Sequence, residues 1–164
     1  MPMDIVLVRV DNRLIHGQIL EAWVPFVKAA CIVVVDDEVA GDLFRVTVMR
    51  MAVPREVEVI VCGVEEFTQQ YSYGTGSGKK AIVLFATIAD AVKAYCAGFK
   101  FTKLNLGNVH NAQGDKDLQY STCVFLNETD LGNLRSLLNT AAVQIELQRV
   151  PQETPVNAQS IVQA

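Results

Sequence analysis

Residues 5–18 read IVLVRVDNRLIHGQ. This stretch indicates the fold class, because the rest of the chain repeats its order of strand, loop and helix. Its first part, Ile5 to Val10, is largely apolar and β-branched, which is typical of a buried strand. A polar loop follows, and from Gln18 to Ala29 apolar residues recur at helical spacing. Pro25 indicates a kink in that helix or an early end to it. The chain therefore opens with a strand, a loop and a helix.

The same alternation of strand-like and helix-like segments runs along the chain, and it builds a mostly parallel sheet with helices on its faces. We expect a three-layer α/β/α fold whose central sheet is mostly parallel and allows one antiparallel edge strand. Further strands are predicted at Cys31–Val35, Val57–Cys62, Ala81–Phe85, Phe101–Leu106, Cys123–Leu126 and Gln144–Val150. Further helices are predicted at Gly41–Ala52, at Val64–Tyr71, from the capping pair Thr87 and Asp90 to Gly98, and at Leu131–Ala142.

Length and composition indicate one soluble domain. The chain has 164 residues, of which 51% are hydrophobic, enough for one substantial core. We expect residues 1–150 to form this domain. The polar segment 151–164 is expected to be a surface extension that packs on a neighbour or stays mobile.

Charge and apolar patterning narrow the classes of function. The net charge is −4, from 14 basic and 18 acidic residues, and no basic cluster is dense enough to favour a nucleic-acid partner. The apolar runs are far shorter than the ~20 residues that cross a bilayer, so a cytoplasmic protein is expected. The four cysteines lack the paired spacing of a zinc site and are expected to be buried free thiols.

The loop after the first strand carries the residues best suited to chemistry. In open α/β sheets, reactive groups gather beyond the carboxyl ends of the strands. Near neutral pH a histidine such as His16 has a free-base fraction that can attack phosphorus. Arg13 can donate two hydrogen bonds to phosphoryl oxygens, and Gly17 leaves the amides at the helix start open to an anion. Asp11 could orient Arg13 or the imidazole. These residues predict phosphoryl transfer through His16.

Other interpretations of the same residues stay open at this point. A lone histidine after a strand is often a helix cap or a buried polar group. His110 follows another strand, in a loop with Asn105 and Gly107 that could line the same crevice. Asp36 or Asp37, after the predicted strand Cys31–Val35, could join the two histidines around zinc, and Asp36, Asp37 and Glu38 could bind magnesium. Acidic residues at a strand end and helix start are equally explained by their favourable interaction with the helix dipole. The glycine-rich loop 74–80 lacks the P-loop spacing, which favours a flexible connection.

The stretch Val10–Gln18 resembles the signature of the IIB components of the mannose/fructose/sorbose family of the sugar phosphotransferase system (PTS). The resemblance continues nearly to the end of the chain, through Val34–Ala40, Met51–Pro54, Leu104–Asn108 and Gln148–Pro151. Two departures stand out. Asn12 replaces a second aspartate that is common in the family, and the loop Tyr73–Lys80 has no clear counterpart.

The resemblance implies that His16 accepts a phosphoryl group on Nδ1 from a phosphohistidine of a IIA protein. A sugar held by the membrane components IIC and IID then receives it, so the chain would be a protein-histidine-to-sugar phosphotransferase. Arg13 would stabilise the phosphoryl group. The supporting residues are Asp11, Asn12, Leu14, Ile15 and Gly17, and Asp36, Asn105, Gly107 and His110 are candidates for the crevice.

The partners follow from this role. They are IIA, IIC and IID, with transient action at the inner face of the membrane. No cofactor or metal is expected, and a homodimer is allowed. The sugar is not defined by the sequence. An alternative with the same motif is a regulatory module whose phosphorylation state reports phosphoenolpyruvate supply without sugar transport. A third is a small-molecule-binding domain with an inert histidine.

Overall fold

The apolar runs form one seven-stranded sheet in the order β3-β2-β4-β1-β5-β8-β9. The computed structural model describes residues 3–71, 78–110 and 117–162. The strand pairs are parallel except β8 and β9, which pair antiparallel at one edge. The strands are β1 (Met3–Asp11), β2 (Cys31–Val35), β3 (Glu58–Cys62), β4 (Lys79–Phe85), β5 (Lys103–Asn108), β8 (Gln144–Leu147) and β9 (Val156–Asn157). A separate hairpin pairs β6 (Leu118–Gln119) with β7 (Phe125–Leu126).

Helices cover both faces of the sheet, which confirms the three-layer α/β/α prediction. Successive residues of β2 alternate between two apolar clusters, as the pleat of a strand requires. One cluster includes side chains of α4, α5, α6 and α7, and the other includes side chains of α1, α2 and α3. The helices are α1 (Val24–Val27), α2 (Asp37–Ala40), α3 (Leu43–Ala52), α4 (Val64–Gln70), α5 (Ile88–Cys96), α6 (Glu128–Ala141) and α7 (Gln159–Val162).

The first helical stretch contains the irregularity that Pro25 predicted. Ile19–Trp23 forms a π-helical segment, which leads directly into the short helix α1. The amide of Val24 bonds to the carbonyl of Ile19. Pro25 has no N–H to donate to the preceding turn, so the wider spacing just before it keeps the helix continuous. The stretch ends at Val27, two residues before the predicted end, and Lys28 after it has a left-handed conformation.

Capping residues account for the other helix boundaries. Thr87 accepts a hydrogen bond from the amide of Asp90 at the start of α5, and Gly98, at φ 116°, follows its end, as predicted. Asn127 and Asp130 form a reciprocal capping box, so α6 begins at Glu128, before the predicted Leu131. The helix predicted at Gly41–Ala52 is α3, which begins at Leu43 because Asp42 caps it, and the short helix α2 before it was not predicted.

The segment after Pro151 corrects one expectation. Its polar composition indicates a surface extension, whereas the structure adds it to the domain as β9 and α7. Ala158 and Val162 are buried in the same cluster as α5 and α6. Gln144–Val150 is correspondingly shorter as a strand, since β8 ends at Leu147 and lies inside the sheet, beside the edge strand β9. A few buried apolar positions in a polar segment are enough to dock it.

The cysteines are free, but the expectation that they are buried holds for only two of them. Burial raises the pKa of the Cys31 thiol to about 11 and that of Cys62 to about 12. Cys96 is exposed and Cys123 is half-buried. Most of the glycine-rich loop, residues 72–77, lies outside the described residues. Within the part of the chain that is described, no helix is long and apolar enough to span a membrane.

The docking of the C-terminal segment can be tested with two valines. Val162→Ala removes two methyl groups from a fully buried site, so it should lower the free energy of unfolding by about 2 kcal/mol. Val156→Ala is the matched control, because its side chain is 53% exposed, and it should change stability by less than about 0.5 kcal/mol. Urea denaturation measures both. Equal effects of the two substitutions would contradict the docked arrangement.

Candidate active site

The loop that carries His16 leaves the carboxyl end of β1, which lies between β4 and β5 in the middle of the sheet. Asn12 is joined to β5 twice. Its amide donates to the carbonyl of Asn108 at 3.0 Å, and the Asn108 side chain donates to Asn12 Oδ1. Asn12, which replaces the second aspartate named above, therefore bonds the loop to the neighbouring strand β5.

Leu14 anchors the middle of the loop. Its φ is 58°, a left-handed conformation that is uncommon for a residue with a Cβ and carries a strain of about 1–3 kcal/mol. Its side chain is buried with Ile19 and Trp23, and its amide donates to the carbonyl of Asp11 at 2.9 Å. Ile15 packs against the same cluster. Burial of Leu14 offsets the strain and holds the loop in a tight turn.

Asp11, the last residue of β1, lies under this loop with a fully buried side chain. Its Oδ1 accepts from the amide and from Nε of Arg13, each at 3.1 Å. Its Oδ2 accepts from Arg13 Nη2 at 3.1 Å, from His16 Nε2 at 3.0 Å and from Arg9 Nη2 at 3.3 Å. Burial alone would raise the pKa of Asp11, but the hydrogen bonds from His16 and Arg13 and the nearby cations lower it to about 2.

The neighbours of His16 determine which ring nitrogen carries the proton. Asp11 is ionised at neutral pH and can only accept, so Nε2 must be the donor of their 3.0 Å bond. The amide of Gln18 can only donate, so Nδ1, 3.3 Å away, must accept. Both neighbours favour the tautomer with the proton on Nε2 and a lone pair on Nδ1. The His16 side chain is 15% exposed, so part of the ring is accessible from solvent although its neighbours hold it in place.

Arg13 lies beside this imidazole, bound to the same carboxylate. Its Nε and Nη2 contact Asp11, and Nη2 also donates to Oε1 of Gln18 at 3.0 Å. The Arg13 side chain is 40% exposed, whereas that of Asp11 is buried. Arg13 therefore places a positive charge at the surface of the loop, in a fixed orientation.

Gly17 is not required by packing. A Cβ built on Gly17 would meet no atom within 4 Å. The space next to His16 is therefore open on this side, which agrees with the expectation that glycine here leaves room for an approaching group.

Asp36 and His110 also follow the carboxyl ends of strands, but their surroundings differ from those of His16. Asp36 caps α2, accepting from the amide of Val39 at 2.9 Å, and stands at the end of β2, two strands from β1. His110 is exposed, and its ring lies 5.1 Å from that of Phe125. Within the described residues, no group of three or more histidines, cysteines, aspartates or glutamates could hold a metal ion.

Asn105 and Gly107 surround a residue that the sequence analysis missed, Arg9. Asn105 is buried and accepts from Arg9 Nη1, and a Cβ at Gly107 would lie 1.9 Å from Arg9 Nη2. Arg9 is fully buried, and burial lowers its pKa to about 10, so it stays charged at neutral pH. The signal was an arginine inside an apolar strand, because a buried cation needs a partner.

Comparison with known proteins identifies one family. The family model described as the PTS system sorbose subfamily IIB component matches residues 5–164. The fructose-specific EIIB component of Bacillus subtilis is 30% identical over 151 residues, which cover 92% of this chain and 91% of that protein. The mannose-specific EIIAB component of Escherichia coli is 29% identical over 160 residues. That match covers 98% of this chain and 49% of the relative, so the chain spans about half the length of the EIIAB proteins it matches.

Solved structures share the fold over nearly the whole chain. The IIBSor domain of the sorbose permease from Klebsiella pneumoniae has a TM-score of 0.85 at 27% identity, covering 99% of this chain and 97% of that one. The manxB protein from Thermoanaerobacter tengcongensis has a TM-score of 0.87 at 32% identity, covering 98% and 96%. Both agree with the parallel sheet described above.

The low pKa of Asp11 predicts a pH dependence of stability. Its usual value is 3.8, so the unfolded chain binds more protons than the folded one between about pH 4 and 2, and stability is lost as the pH falls through this window. Asp11→Asn should abolish about 2 kcal/mol of that loss. At pH 6 the variant should be less stable, by about 3 kcal/mol, because Arg9 loses its ionised partner. Urea denaturation from pH 6 to 2 measures both effects. An acid-induced loss equal to that of the wild type would contradict the assignment.

Proposed function

Because the chain belongs to the sorbose subfamily of PTS IIB components, we propose that it is a phosphohistidine carrier, with the phosphoryl group on His16. The observation that carries this proposal is the pair of bonds to the imidazole. Asp11 holds the proton on Nε2, and the amide of Gln18 faces the lone pair on Nδ1. The nucleophile is therefore Nδ1, the atom that the family resemblance implies.

Acceptance of the phosphoryl group is a direct displacement. The Nδ1 lone pair forms a bond to phosphorus while the N–P bond of the donor phosphohistidine breaks, and the donor imidazole leaves with that electron pair. The Nε2 proton stays on His16, bonded to Asp11. The phosphorylated ring then carries a positive charge, which makes it a good leaving group for the next transfer.

Arg13 and Gln18 stabilise the transferred group. The forked guanidinium of Arg13, held by Asp11 and the Gln18 side chain, can donate to the equatorial phosphoryl oxygens as negative charge spreads over them. The amide of Gln18 loses Nδ1 as its acceptor when the N–P bond forms, and a phosphoryl oxygen can replace it. The open side at Gly17 admits the donor.

In the second transfer, the phosphoryl group leaves His16 for a different acceptor. A sugar hydroxyl attacks phosphorus, the N–P bond breaks, and its electron pair returns to Nδ1. The hydroxyl proton passes to a base outside this loop, because Asp11 is occupied by donors from three side chains. We infer that IIA is the donor and that a hexose of the mannose, fructose or sorbose class, presented by IIC and IID at the inner face of the membrane, is the acceptor.

The carrier role predicts one acid-labile phosphate per chain on incubation with phosphoenolpyruvate, Enzyme I, HPr and a cognate IIA. His16→Ala should abolish labelling, since it removes the attacking nitrogen. His110→Ala is the matched control and should be labelled as fully as the wild type. Radiolabel or intact mass measures the result, and a labelled His16→Ala chain would disprove the assignment.

The same labelled protein separates transport from regulation. Adding membranes that contain IIC and IID, with mannose, fructose or sorbose, should discharge the label onto the sugar. A label that stays on the protein with every sugar would favour the regulatory alternative.

Arg13→Ala should retain the acceptor but slow labelling by about 10- to 100-fold, because one charged donor is lost from the transition state. Arg13→Lys should recover part of the rate. Arg45→Ala is the control, since Arg45 is an exposed arginine of α3, paired with an exposed glutamate, Glu38. Rapid-quench measurement of the initial rate distinguishes the variants, and an Arg13→Ala rate equal to that of the control would rule out the role.

A further inference from the structure

Arg9 is a buried cation at the base of the active-site loop, and the carrier chemistry described above does not use it. Its side chain is fully buried, and it lies near the carboxyl end of β1. Nη1 donates to Asn105 Oδ1 and, at 2.7 Å, to the carbonyl of Gln148. Nη2 donates to the carbonyl of Arg149 at 2.9 Å and to Asp11 Oδ2 at 3.3 Å. The guanidinium also lies 5.2 Å from the centre of the Trp23 ring.

Stability alone does not account for a charge at this position. Replacing a buried ion pair by apolar side chains of similar volume is often neutral or stabilising. The other hydrogen-bond acceptors around Arg9 are neutral carbonyl groups, and its one ionic partner in the described structure is Asp11. The electrostatic effect of Arg9 therefore falls mainly on the carboxylate that binds His16.

That carboxylate has to meet two opposed requirements. It must attract the Nε2 proton strongly enough to keep the lone pair on Nδ1. It must not attract a second proton onto the ring, because a doubly protonated imidazole has no lone pair and cannot attack phosphorus. Two arginines, Arg9 from inside the fold and Arg13 from the loop, share the negative charge of Asp11 with His16.

We propose that Arg9 is a positioning residue for phosphoryl transfer, which acts through Asp11 to hold His16 in the neutral tautomer with the lone pair on Nδ1. Arg13 lies at the surface of the loop, where it can donate to an incoming phosphoryl group, whereas Arg9 is buried and bonded from several sides. The charged and titratable groups around this network are Arg9, Asp11, Arg13 and His16, with Cys123 adding an electrostatic interaction with Arg9.

The proposal rests on the carrier function of His16, but it can be tested on the unphosphorylated chain. In the 164-residue chain labelled with ¹⁵N-histidine, NMR shifts report which ring nitrogens carry a proton, and the exposed His110 serves as an internal reference. In the wild type at pH 7.5, His16 should carry its proton mainly on Nε2. In Arg9→Met the doubly protonated fraction should rise by about three- to tenfold, since the charge of Asp11 is no longer shared with Arg9. Arg9→Lys should restore most of the wild-type distribution.

A second variant reaches the same network without removing the charge. Gly107→Ala would place a Cβ 1.9 Å from Arg9 Nη2 and so push the guanidinium away from Asp11. It should change the protonation of His16 in the same direction as Arg9→Met. If circular dichroism shows that Arg9→Met does not fold, Gly107→Ala serves as the test of the proposal. Gly132→Ala is the matched control, because a Cβ there meets nothing within 4 Å, and it should leave His16 unchanged.

The pH profile of phosphorylation separates positioning from a general loss of structure. For Arg9→Met the initial rate should recover as the pH is raised, so its profile is displaced to higher pH. A merely structural defect would lower the rate by the same factor at every pH. Unchanged His16 protonation in folded Arg9→Met and Gly107→Ala would overturn the proposal. Failure of the carrier function would appear separately, as a wild type that accepts no phosphate.

Discussion

One buried carboxylate organises the site, and much of the structure around it exists to satisfy that carboxylate. Asp11 lies at the point where β1 ends, and it receives hydrogen bonds from Arg9 in the strand below and from Arg13 and His16 in the loop above. An ionised carboxylate with no access to water needs such donors, because its burial would otherwise cost several kcal/mol. The loop adopts a conformation that places Arg13 and His16 within hydrogen-bonding distance of Asp11.

The same requirement extends to the far end of the sequence. Arg9 is itself buried, so it needs acceptors, and these come from β5 and from the carbonyls of Gln148 and Arg149 just after β8. The carbonyl of Arg149 also accepts from Trp23, in the helical stretch that follows the active-site loop. Residues nearly 140 positions apart are thereby joined beneath the site, and the docked C-terminal segment continues directly from this connection.

The features that could be predicted from the sequence are those that depend on neighbouring residues along the chain. The buried strands at Cys31–Val35 and Ala81–Phe85 and the cap at Thr87 all have local signals, and the structure contains each of them. The loop that carries His16 has a local signal too, and its role in phosphoryl transfer stays a prediction. The capping box of Asn127 and Asp130 carries a similar signal and could have been found in the same way.

The features that were missed depend on contacts between distant residues. Asn105 and Gly107 suggested a crevice because they follow a strand in a polar loop, but their neighbour is Arg9, 96 residues from Asn105. The buried positions of the C-terminal segment are similarly hard to predict, because Ala158 and Val162 lie in a short, mostly polar segment without a long apolar run. A phosphoryl carrier must be a good nucleophile when empty and a good leaving group when loaded, and a fixed Nε2 proton serves both states. It leaves Nδ1 free before the transfer and keeps the ring cationic after it. Because Asp11, which contacts His16, also contacts Arg9 and Arg13, the proposed carrier site depends on residues throughout the chain, although Asp11, Arg13 and His16 lie within its first 18 residues.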